Sequence, residues 1–227
     1  MMFEKEEKAE IINAFFPDEP EKIFDYIFLF KELMMKYNSA IREIRTKIEI
    51  LNDELSLGNR DNPILSIQSR TKKPVSIVQK LKKYGKPTTL DAMVENLNDV
   101  AGIRIICSFI DDIYRLSDML SKQDDITVIA IKDYIKNPKP NGYRSYHMIV
   151  EVPVFFSNSK QLMRVEIQIR TVAMDFWASL EHRMKYKSNI ENAEEITTEL
   201  KECADVIAKT DMHMLEIRNK IDKNELQ

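Results

Sequence analysis

Two carboxylates, a cluster of cations and one aromatic loop carry the chemistry that this chain can do. The segment MRVEIQIRT at 163–171 alternates, as a strand does. It sets Glu166, Gln168 and Arg170 on one face and Met163, Val165, Ile167 and Ile169 on the other. About twenty residues earlier, KDYIKNPKPNGYRSYH at 132–147 offers Lys132, Lys136, Lys139, Tyr143 and His147 around an irregular turn. Asp99-Val-Ala-Gly-Ile-Arg104 puts a carboxylate at the entry to another strand and an arginine on it. Asp99 and Glu166, from separate elements, suit a hard cation such as Mg²⁺, which takes one or two protein carboxylates and fills its shell with water and phosphate oxygens. Tyr143, next to Gly142, can stack a base or face the core. Gly102 allows close backbone approach or a positive φ. A solvated edge strand and a lysine-rich surface helix remain the plain readings of the same residues.

Charge points the same way. The 227-residue chain has a net charge of −3, so bulk electrostatics do not favour a long nucleic acid. Between Arg70 and Leu90, however, lie seven basic residues and no acidic one. An acidic protein with one concentrated basic segment matches a small polyanion. Ser76, Lys80 and Lys83 follow helical spacing on one face of that segment, just after Arg70 and Lys72. No GxxxxGK[ST] or GxGxxG occurs, so bound phosphates would have to be held by cationic side chains. The three histidines are too scattered for a metal cluster, and Cys107 and Cys203 have no metal or disulfide spacing. No apolar run is long enough to span a bilayer, and MMFEKEEKAE lacks signal-peptide order; the expected location is cytoplasmic.

The elements that position these residues read as α+β. From Glu21 to Leu57 there is no proline or glycine. Ile23, Ile27, Phe30, Met34, Tyr37, Ile41, Ile44, Ile48 and Leu51 step by four and three, as in a long helix with an apolar seam. Ile196, Leu200, Cys203, Ile207, Met214, Ile217 and Ile221 predict a second long helix, with Thr210 as a polar break. Between them we expect a loop at 58–75 and helices near 76–84 and 88–97. A strand at 103–109, a helix at 111–122 and strands at 126–131, 145–152 and 163–170 follow, then a helix over 172–187. The expected organisation is an N-terminal helical region (1–60), a catalytic core (61–190) and a C-terminal helix (191–227) suited to oligomerisation.

Taken in order, RTKKPVS…K, LNDVAGIRI, KDYIKNPKPNGYRSYH and VEIQIRTVAMDFWASLEH resemble the small alarmone synthetases. These are stand-alone relatives of the synthetase domain of RelA/SpoT-type stringent-response enzymes. The resemblance covers about residues 65–187. It implies a nucleotidyltransferase-like mixed sheet and transfer of pyrophosphate from ATP to the 3′-hydroxyl of GDP or GTP, giving (p)ppGpp and AMP. Carried over by motif, Arg70 would stack on adenine, and Lys72, Lys80 and Arg104 would hold ATP phosphates, with Ser76 and Lys83 as further ATP-side candidates. Asp99 and Glu166 would hold Mg²⁺, and Glu166 would also take the hydroxyl proton. Tyr143 would stack on guanine, Lys132, Lys139 and His147 would serve the acceptor nucleotide, and Gln168 would support Glu166. The resemblance also implies a homo-oligomer, with a tetramer favoured, and a nucleotide or single-stranded RNA as regulator. With no His-Asp dipeptide, alarmone breakdown is not expected. A non-catalytic nucleotide sensor and an adenylyl-transferring relative are the alternatives.

Overall fold

In the computed structural model the described residues are 23–58, 62–185 and 193–225. Helix α1 (Ile23–Gly58) is the first of the described elements. Then come β1 (Ile64–Thr71), α2 (Pro74–Lys83), α3 (Leu90–Asn96), β2 (Ala101–Cys107) and α4 (Ile110–Ser121). Strands β3 (Thr127–Asp133), β4 (Tyr146–Phe155) and β5 (Lys160–Thr171) lead to α5 (Val172–Lys185) and α6 (Ala193–Glu225).

The five strands form one mixed sheet in the order β1-β2-β5-β4-β3. Only β2 and β5 run parallel; the other neighbouring pairs are antiparallel. The strand alternation holds: Ile103, Ile105, Val165, Ile167 and Ile169 are buried, while Arg104, Glu166 and Gln168 stay partly accessible. The buried set shares a core with Ile44 and Ile48 of α1 and with Ile113, Leu116 and Leu120 of α4. Burial of a full Ile or Leu side chain stabilises by about 1.5–3 kcal/mol each, which fixes both the sheet and its register.

The structure corrects two expectations and shows where the α1 seam packs. Residues 64–71 are a strand, β1, rather than part of a loop at 58–75; they pair with β2 and place Arg70 opposite Gly102. The α1 seam at Tyr37, Ile41, Ile44, Ile48 and Leu51 is consumed by the chain's own core, so those residues are not free for a second copy; the side chain of Ile23 lies outside the description. On α6 the buried stripe runs through Leu200, Ala204 and Asp211, and Cys203 and Thr210 of the expected seam face solvent. Small Ala204 brings the helix close to its neighbours, and packing rather than hydropathy sets the buried face.

Candidate active site

The sheet register assembles the site. Arg70 pairs with Gly102, and Gly102 pairs with Glu166. One step along, Gln68, Arg104, Gln168 and His147 stand in adjacent strands. Arg70, Asp99, Gly102, Arg104, Glu166 and Gln168 line a cavity of about 210 Å³. Gly102 contributes by lacking a side chain. Its φ is not positive, since among the described residues only Gly85 and Gly142 are. A Cβ at Gly102 would meet nothing closer than the Arg70 carbonyl oxygen at 3.7 Å, so it would project into the open space between Arg70 and Glu166.

Asp99 Oδ2 accepts from Lys72 Nζ at 3.0 Å and from Lys80 Nζ at 2.7 Å. Burial works to raise the Asp99 pKa, but the two lysines outweigh it and hold the group below the ordinary carboxylate range. Lys80 shifts the opposite way: burial lowers it, and the hydrogen bond to Asp99 more than compensates. Asp99 Oδ1 is buried without a hydrogen-bond partner, a costly position for a carboxylate oxygen unless something else ligates it.

Glu166 is held from both sides. Gln168 Nε2 donates to its Oε2 at 2.9 Å, and His147 Nδ1 stands 3.4 Å from Oε1, an electrostatic contact longer than a well-formed hydrogen bond. Burial works to raise the Glu166 pKa; the His147 and Gln168 contacts overcome it and keep the carboxyl ionised. His147 is buried and its Nε2 lies 2.9 Å from Tyr143 Oη. Arg170 Nη2 donates to that same Tyr143 oxygen at 2.6 Å, which leaves the phenol proton for Nε2. The proton on Nδ1 then points at Glu166, a tautomer assigned from these partners.

Behind Glu166 and Gln168 lies an arginine that motif reasoning left without a role. Arg170 is 4% exposed. It donates to Gln168 Oε1 at 3.0 Å, to Asp175 Oδ1 at 3.0 Å and to Ser145 Oγ at 3.3 Å. Its place on the face shared with Glu166 was the available signal; its burial depends on α5, which brings in Asp175. Arg104 Nη1 is 3.6 Å from the same Asp175 oxygen. Burial and the Arg170 charge lower the Arg104 pKa, and its Nε is buried without a partner.

Tyr143 is half-buried rather than freely exposed. Lys139 Nζ lies 4.8 Å from its ring centroid and 4.7 Å from that of Tyr134. Burial lowers the Lys139 pKa, Glu166 acts to raise it, and Lys132 adds a further lowering; Lys132 pairs with His147 across β3 and β4. Ser76 and Lys83 do not line the cavity; of the Ser76–Lys80–Lys83 face only Lys80 reaches Asp99.

Residues 69–191 match the family described as the region found in RelA / SpoT proteins. The chain is 45% identical over 192 residues to the GTP pyrophosphokinase YwaC of Bacillus subtilis, covering 85% of this chain and 91% of that one. The crystal structure of small alarmone synthetase 2 from Bacillus subtilis superposes with a TM-score of 0.76 at 43% identity, over 84% of this chain and 98% of the other. Small alarmone synthetase 1 from the same organism, bound to its product pppGpp, gives 0.78 at 33% identity over 85% and 98%.

Proposed function

The chain belongs to the RelA/SpoT family, and on that premise we propose that it is a GTP pyrophosphokinase that makes (p)ppGpp and AMP from ATP and GDP or GTP. The observation that carries the reading is the placement of Glu166 across the side-chain-free Gly102 from Arg70, in a cavity shared with Asp99 and Arg104.

The ribose 3′-oxygen attacks the β-phosphorus of ATP. A bond from that oxygen to the β-phosphorus forms, the bond from the β-phosphorus to the α–β bridging oxygen breaks, and AMP leaves with the electron pair. Glu166 takes the hydroxyl proton at Oε1, the oxygen facing His147. Gln168 and His147 hold the carboxylate in place, and Arg170 fixes Gln168 and Tyr143 together. Arg70 stacks on adenine, while Lys72, Lys80 and Arg104 meet the ATP phosphates. Tyr143 stacks on guanine, the base taking the place that Lys139 Nζ holds over the ring; Lys139 and Lys132 then face the acceptor phosphates. Such transfer depends on positioning and charge neutralisation, which this residue set provides.

The donor set fits Mg²⁺. Asp99 Oδ1 lacks a partner and Glu166 lines the same cavity. Among the described residues no group of three or more His, Cys, Asp or Glu could hold an ion alone, which leaves places for water and phosphate oxygens. When bound, Mg²⁺ neutralises phosphate charge and lowers the pKa of a nearby hydroxyl.

Exposed Phe24, Phe28, Val206 and Ile221 on the two long helices support assembly into a homo-oligomer, a tetramer by family resemblance. Among the described residues no helix is long and apolar enough to cross a membrane, and we place the enzyme in the cytoplasm. Regulation by a nucleotide or single-stranded RNA is tested by adding each to the assay.

The deciding experiment supplies ATP labelled at the γ-phosphate with GDP or GTP and Mg²⁺. Label should move to the guanine nucleotide, and label at the α-phosphate should stay with AMP. Transfer of the α-label would make the protein an adenylyltransferase; tight binding without transfer would make it a sensor.

A further inference from the structure

The turn that presents Tyr143 rests on the C-terminal helix at three successive residues. Gly142 has φ +87° and is buried; a Cβ there would lie 2.5 Å from Ala204 Cβ and 3.2 Å from Lys201 Cα. Tyr143 packs against a cluster formed by Trp177, Ala178, Leu200 and Ala204. Arg144 reaches over the helix: Nη1 donates to the carbonyls of Gly142 at 3.1 Å and Ala204 at 3.3 Å, and Nη2 donates to Asp205 Oδ1 at 2.9 Å. Trp177 Nε1 in turn donates to the Leu200 carbonyl at 2.9 Å, which fixes the height of α6 against α5.

These contacts do more than fill space. A mostly apolar cavity of about 120 Å³ borders them, lined in part by Ile135, Gly142, Arg144 and Ile207. The underside of the turn is therefore not close-packed, and a few specific contacts set its position. The other edge of Tyr143 is bonded to Arg170 and His147, the groups that hold Gln168 and face Glu166. A shift of the turn on α6 moves the tyrosine relative to the carboxylate.

We propose that α6 is part of the acceptor-nucleotide site, with Ala204 and Asp205 as positioning residues that fix the 139–144 turn and so set affinity for the guanine nucleotide. This assigns a role in substrate recognition to a helix that lies beyond residues 69–191, where the family match ends. It rests on the reading of Tyr143 as the acceptor-stacking residue.

The test is kinetic. Asp205 sits on the surface with its side chain 42% exposed, so its replacement leaves the core intact. Asp205→Ala should raise the KM for GDP about fivefold, a larger factor than any fall in kcat at saturating GDP, with the KM for ATP unchanged. Asp205→Glu, which can still reach Arg144, should restore most of the GDP affinity. Gly142→Ala should raise the GDP KM about tenfold or more, through the Ala204 clash and the positive φ. Adding Ala204→Gly to it should recover part of the loss, since it removes the nearest clashing atom. An unchanged GDP KM in Asp205→Ala, an equal rise in both KM values, or no recovery in the double variant would overturn the proposal. Calorimetric titration with GDP separates the two readings. If the wild type binds GDP but transfers nothing, the functional assignment fails and the Asp205→Ala affinity still decides the role of α6. If the wild type binds no GDP, the acceptor reading of Tyr143 falls, and the role of α6 with it.

Discussion

Glu166→Gln separates the chemistry of the site from its architecture. The replacement is nearly isosteric. The new amide oxygen can still accept from Gln168 Nε2, which now lies 2.9 Å from Oε2. What is lost is the charge and, at the position of Oε1, the acceptor that faces His147 Nδ1. A positioned general base contributes about 10²–10⁴-fold in rate, and the same carboxylate is a proposed metal ligand, so kcat should fall by at least about 10³-fold. Asp99 cannot substitute: two ammonium groups on its Oδ2 hold its pKa down and make it a poorer base. The stability effect has a definite sign. The folded-state pKa of Glu166 lies below the ordinary value, so its carboxylate stabilises the fold above the unfolded pKa, and that contribution is lost as pH falls through the folded one. Exchanging a charge-assisted hydrogen bond for a neutral one costs about 1 kcal/mol, or a fall in melting midpoint of about 2–4 °C for a chain of this size. Label transfer from γ-labelled ATP gives the rate, and thermal melting by circular dichroism gives the midpoint. A folded Glu166→Gln protein that keeps activity within about tenfold of wild type would refute the assignment.

Other perturbations test other parts. Tyr143→Ala should weaken guanine-nucleotide affinity by about tenfold, from about 1–3 kcal/mol per stacked base, and Arg70→Ala should weaken ATP instead; equal losses for both nucleotides in each variant would count against separate pockets. Gly102→Val should place two methyl groups in the gap between Arg70 and Glu166 and abolish turnover with little change in melting midpoint, and normal KM values would show that the gap is not used. Burial raises the Asp211 pKa more than the hydrogen bond from Thr171 lowers it. The folded state therefore binds this proton more tightly than the unfolded one, and its stabilising effect is present at low pH and lost as pH rises through the raised pKa. Asp211→Asn should accordingly raise the melting midpoint at about pH 8 and leave it nearly unchanged at about pH 3, a difference that melts at both pH values would reveal. Phe24→Asp with Phe28→Asp, on an exposed face of α1, should lower the assembly state seen by light scattering without unfolding the chain.

Most of the architecture was legible because its signals are local. The apolar run of IRIICSF, the alternation of MRVEIQIRT and the four–three steps of α1 are signals that each element carries alone. Strand β1 was not legible for the same reason. ILSIQSRT is apolar only at its start, its last residues are polar on both faces, and nearby Pro63 and Pro74 suggest a loop. It is a strand because β2 offers an unpaired edge. Glu166, Asp99, Arg70 and Arg104 could be named from type and spacing. The inward turn of His147 could not: it follows from the β4–β5 register, which pairs His147 with Gln168. The contact of Gly142 with Ala204 joins residues far apart in sequence, and neither carries a local sign of it.

The charge arrangement bears on why the site would take a polyphosphate rather than a nucleoside. Lys72 and Lys80 donate to one oxygen of Asp99, while Arg104 and Arg170 share Asp175, and burial together with the Arg170 charge depresses the Arg104 pKa. Lys139 is likewise lowered, first by burial and also by Lys132. Cations therefore outnumber the carboxylates that face them, and several lie in partly desolvated positions where an unneutralised charge is costly. On the proposed reading, an arriving triphosphate relieves that cost: the lysines exchange Asp99 for phosphate oxygens, and Asp99 becomes available to the metal. Adenosine offers the same base to Arg70 but no charge to the lysines. It should compete with ATP only weakly, and an inhibition constant for adenosine close to that for AMPCPP would show that the base, and not the phosphates, governs binding.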